Sequence, residues 1–125
     1  MLQACLASPS CLLFAQMSKH GHEFADRLGL ALDRATAKKI RENPSLIECA
    51  RANLERWRRQ NNGQPAPAHE EWERVLRFLT PHQVAEFLVS RTPMAARLSQ
   101  SSPFPGVLTE EERQAVLQEH AADAA

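Results

Sequence analysis

Asn43 to Gln60, NPSLIECARANLERWRRQ, reads as one amphipathic helix and sets the fold. Asn43 is placed to cap it, and Pro44 fits a first turn in which a missing N–H costs nothing. Ile47, Ala50, Leu54 and Trp57 then recur at i, i+3, i+7 and i+10, a single stripe for burial. The last turn carries Arg56, Arg58 and Arg59, which complement the negative end of the helix dipole, and Asn61, Asn62 and Gly63 end it.

Outward from this helix the pattern stays helical. Upstream, His22 to Arg41 places Phe24, Leu28, Ala31, Leu32 and Ala35 on one face and Glu23, Asp26, Arg27, Arg34 and Lys38 outside. Downstream, the Gly and Pro residues of NNGQPAPA make a connector. His69 to Leu79 then places Trp72, Val75, Leu76 and Leu79 on one side of a helix expected to return antiparallel, with Trp57 and Trp72 near the same end of the hairpin. Thr80, Pro81 and Gln83 spell a capping box for a helix to about Val89 that buries Val84, Phe87 and Leu88. Pro93 admits a further short helix through Met94 and Leu98. Ser99 to Leu108, SQSSPFPGVL, holds two prolines around Phe104 and is expected to be extended. Thr109 and Glu112 form a second capping box, opening a last helix with Val116 and Leu117 inward. No strand alternation and no repeat occurs, so the expectation is an all-α bundle of five or six helices with an extended Pro-rich segment before the last one.

A chain of 125 residues suits one domain, assigned here to 17–120 with a frayed tail at 121–125. Residues 1–16 lack a basic n-region and a small-residue cleavage site. Met17 opens a sequence of different character and is the expected start, which makes 1–16 a disordered or mis-annotated extension. No run approaches the ~20 apolar residues of a membrane span. Cys5, Cys11 and Cys49 are odd in number and have no C-x-x-C spacing, which fits a reducing cytoplasm. Net charge is zero, yet Lys38 to Arg59 holds seven basic residues against three acidic ones, and the C-terminus is acidic.

Catalytic signatures are missing. His20 and His22 have no third ligand at metal spacing, position 73 is Glu where His69-Glu70-Glu71 would need His for a zincin, and no base is evident for Cys49. The expectation is no enzyme, no metal and no cofactor. For DNA, residues 79–98 have the outline of a helix-turn-helix, with Arg91 and Arg97 and the basic turn Arg56, Arg58 and Arg59 as phosphate or base contacts. Leu88 runs straight into Val89-Ser90-Arg91 without the glycine that a tight turn favours. Ser101 to Leu108 is a stiff apolar strip anchored by Phe104, Val107 and Leu108. It needs a groove, either the chain's own or another protein's.

Two blocks, ARANLERWRRQ followed by EEWERVL, and RLSQSSPFPGVLTEEERQAVL from Arg97 to Leu117, resemble small antitoxin-like members of bacterial two-gene toxin–antitoxin modules. The resemblance covers most of Ala50 to Leu117 and implies a cytoplasmic protein that binds and neutralises a toxin encoded beside it, often while contacting operator DNA. Under it, Phe104, Val107 and Leu108 with Arg97 and Arg113 would cover a toxin surface and exclude its substrate. The alternatives are a DNA-binding regulator using 79–98 and a structural homo-oligomer whose dimer buries the strip.

Overall fold

The computed structural model describes residues 19–124, with side chains described from Phe24 to Ala121. The expectations for residues 1–16 and Met17, and the side chains of His20 and His22, lie outside that range. Six α-helices and no strand are found among the described residues: α1 Lys19–Glu42, α2 Ile47–Gln60, α3 Pro67–Phe78, α4 Pro81–Leu88, α5 Pro93–Ser99 and α6 Glu110–Ala124. The fold is the expected all-α bundle, and no described helix is long and apolar enough to cross a membrane.

α2 begins later than its sequence signals indicate. Pro44–Leu46 forms a 3₁₀ turn first, and Asn43 bonds no backbone N–H with its side chain. Its Oδ1 accepts instead from Ser45 Oγ at 2.7 Å. The competing local hydrogen bond is what displaces the cap. The expected stripe holds for Ile47, Ala50 and Leu54, which are buried, while Trp57 is half-buried. Asn62 at φ 57° and Gly63 at φ 80° end the helix, the Gly63 N–H donating to the Arg58 carbonyl at 2.8 Å.

α3 does return antiparallel to α2. Trp57 stacks on His69 near one end, and Arg51 donates to the Leu76 carbonyl at 2.7 Å near the other. The tryptophans have different partners, however. Trp72 is fully buried, met edge-on by Phe87 at 5.7 Å and Phe104 at 5.3 Å, and its Nε1–H donates to the Leu98 carbonyl at 2.9 Å. An indole buried without that acceptor would cost about 1–3 kcal/mol.

Both capping boxes form. Thr80 and Gln83 exchange side-chain and backbone hydrogen bonds at the start of α4, and Thr109 and Glu112 do so at the start of α6. Thr92 Oγ1 caps α5 by accepting from the Ala95 N–H at 3.1 Å. α6 keeps helical geometry through Ala124, beyond the expected end of the domain at 120.

α1 has two packed sides. One meets α6, where Lys39 pairs with Glu112 and the rings of Phe24 and His120 lie 4.7 Å apart. Phe24, Leu28, Ala31, Leu32 and Ala35, the face expected from periodicity, are half-buried. The deeper side meets α4 and is made of Thr36, Ala37 and Ile40, with Thr36 Oγ1 donating to the Leu32 carbonyl at 2.8 Å. Thr36 and Ala37, polar and small, carry little periodic signal, and Ile40 lies off the stripe that Phe24, Leu28, Ala31, Leu32 and Ala35 define.

Candidate interaction site

The segment between α5 and α6 is a strap whose anchors point inward. Pro103, Phe104 and Val107 are buried among Trp72, Leu76 and their neighbours, and Leu108 is half-buried. Phe104 and Val107 therefore face the chain's own core, not a partner, because the groove they need is supplied by α2 and α3. The strap is not extended throughout. The Val107 N–H donates to the Phe104 carbonyl at 3.0 Å across Pro105 and Gly106, and Gly106 has φ 97°, the geometry of a type II turn. A Cβ on Gly106 would come within 3.2 Å of Cys49 Sγ, so space as well as torsion selects glycine.

One buried side chain clamps this strap. Asn53 Nδ2 donates to the carbonyls of Pro103 and Pro105, each at 2.9 Å, while its Oδ1 accepts from Arg56 Nη2 at 2.6 Å. Nothing in an arginine-rich helix marks an asparagine for this task; only a partner some 50 residues away reveals it. The outward edge left by the clamp comprises exposed Pro105 and Gly106, half-buried Leu108, and the exposed first turn of α6 with Glu110 and Glu111.

The remaining cations expected at a site divide into tied and free. Arg97 makes a two-pronged ion pair with Glu71, both bonds 2.8 Å, which holds the Glu71 carboxyl below its usual range. Arg58 is paired in the same way with Glu73, and Arg113 lies 3.6 Å from Glu110. Arg59 and Arg91 are exposed and enter no ion pair among the described residues. α4 and α5 do meet at a tight corner, but the positive φ falls on Arg91 itself, at 61°. A non-glycine residue held there is strained by about 1–3 kcal/mol. Arg97, the expected base reader of α5, is engaged by Glu71, and α5 has only seven residues.

Arg91 stands between two crevices on α1. One, of about 510 Å³, is walled by small residues, Ala25, Gly29, Ala95 and Ala96, with Asp33 inside it. Burial pushes the Asp33 carboxyl up to about 6, opposed by the Ser99 hydroxyl that donates to it at 2.8 Å. The other, of about 560 Å³, is lined by Arg27, Arg34 and Arg91 with Glu119 and His120 of α6. Among the described residues no cluster of three or more His, Cys, Asp or Glu is arranged to hold a metal.

No family model, curated protein or solved structure matches this chain.

Proposed function

We propose that the chain is a non-catalytic protein-binding module, an antitoxin that neutralises a toxin enzyme encoded beside it. The observation that carries this reading is the clamped outer edge of the strap. Pro105, Gly106 and Leu108 form a ridge whose backbone is fixed by Asn53 before any partner arrives, flanked by Glu110 and Glu111. A ridge ordered in advance gives up little conformational entropy on binding. The acidic flank is complementary to the cationic site of an enzyme that acts on phosphate-bearing substrates, so covering that site would exclude the substrate. The residues of both resembling blocks meet here, with Trp72 on the Leu98 carbonyl and Asn53 on the strap.

Co-expression with the product of the adjacent gene tests the reading. The wild-type chain is expected to co-purify with it, and Leu108→Asp with Glu110→Lys and Glu111→Lys is expected to release it while the helical circular dichroism stays unchanged. A wild-type chain that forms no complex, or a variant that still binds, rejects the proposal. A second reading, a DNA-binding regulator, draws on the corner that Arg91 completes between α4 and α5. It predicts a sequence-specific shift of the chain's own promoter that Arg91→Ala abolishes. Sedimentation of the isolated chain distinguishes the homo-oligomer, which would run as a dimer independent of any toxin.

A further inference from the structure

On α1, Arg27, Arg34, Lys38 and Arg41 follow one another at i, i+7, i+11 and i+14, and all four are exposed. At 100° per residue they fall within a narrow stripe, and at 1.5 Å rise per residue they extend over about 21 Å. None is in an ion pair among the described residues, although the acidic and basic totals of the chain are equal at 15 each. Arg91 reaches the same crevice as Arg27 and Arg34 from the corner before α5. The carboxylate on that crevice wall, Glu119, makes no ion pair with them within 4.0 Å.

We infer that this stripe, with Arg91, binds the phosphate backbone of double-stranded nucleic acid without reading its bases. A row of that length exceeds what one phosphate ion or nucleotide can span and suits a polymer with a charge every 3.4 Å per strand. Four of the five cations are arginines, whose planar forks match phosphate oxygens in pairs. The stripe has no aromatic side chain on which unpaired bases would stack, which disfavours single strands. No asparagine or glutamine stands on it to read a base edge, and Leu30, Ala31 and Ala35 beside it are half-buried, too little apolar surface to enter a lipid interface. The stripe shares no residue with the strap ridge, so it operates whether or not the ridge binds a toxin.

Fluorescence anisotropy of a labelled 20-base-pair duplex of arbitrary sequence, titrated with the full chain at several salt concentrations, tests this. Log affinity is expected to fall against log salt with a slope of about −4.5, the value for about five phosphate contacts. Arg34→Ala should flatten the slope by about 1, and Arg34→Ala with Lys38→Ala and Arg41→Ala should lower affinity by at least about tenfold at 50 mM salt. Glu119→Gln, which removes the counter-charge, should tighten binding several-fold, and Arg77→Ala on α3 should change nothing. Equal affinity of wild type and triple variant, tighter binding to the single strand, or equal competition by polyglutamate overturns the inference. The triple variant should still co-purify with the toxin, so failure of this inference and failure of the antitoxin reading remain distinguishable.

Discussion

The strap and the outer face of α1 exchange the roles their appearance gives them. The strap is irregular, apolar and proline-stiffened, with the look of a peptide made for another protein's groove, yet Phe104 and Val107 are as buried as the helix residues around them. α1 is the longest regular element at 24 residues, but its outer stripe of arginines makes no ion pair among the described residues. Regularity of the backbone is thus no guide to which side chains are already engaged inside the fold. What distinguishes the two regions is whether the side chains already have internal partners.

Truncation should separate them sharply. Phe104→Ala removes an aromatic packed on Trp72 and is expected to destabilise the fold by about 3–5 kcal/mol in a urea titration. A loss below 1 kcal/mol would mean that the strap is not part of the core. Asn53→Ala leaves the carbonyls of Pro103 and Pro105 without their donor and should cost about 1–3 kcal/mol by the same measurement.

Asp33 sharpens the comparison because it belongs to α1 but is partly buried. Its folded-state value of about 6 lies above the ~3.9 of an unfolded aspartate, so between those values the folded chain holds the proton more tightly. Stability therefore falls as pH rises from about 4 to about 6, and the penalty is complete above that window. Asp33→Asn should remove the fall and, with solvent screening discounted, gain about 1 kcal/mol at pH 8 while changing little at pH 3.5. Thermal melts across pH check both the sign and the window. Arg34→Ala, on the unpartnered stripe, should stay within about 0.5 kcal/mol of wild type, and a larger loss would reveal an internal partner for that stripe.

What could be read from the sequence was what is encoded locally. Thr80 with Gln83 and Thr109 with Glu112 are hydrogen-bond codes complete within four residues, and both boxes form. The Ile47, Ala50 and Leu54 stripe is likewise complete within α2. Two of the failures depend on distance, whereas the Asn43 cap was lost locally, to Ser45 two residues on. Arg97 stood out as a partner contact because Glu71, 26 residues away, had no visible claim on it. The strip at Phe104 announced that it needed a groove but not whose, since that depends on how α2 and α3 pack. Arg91 hid its torsion because arginine is not a residue one expects at positive φ.

The clamp at Asn53 also has a dynamic consequence. One amide holds both sides of the strap, and the strap leads directly into α6, whose first turn is tied to α1 through Glu112 and Lys39. Opening the strap therefore frees the entry to α6, and the two should open as one cooperative unit below the free energy of global unfolding. Amide hydrogens of Val107 and of the first turn of α6 should exchange together, ahead of those around Trp72, and proteolysis under native conditions should first cut in that same stretch.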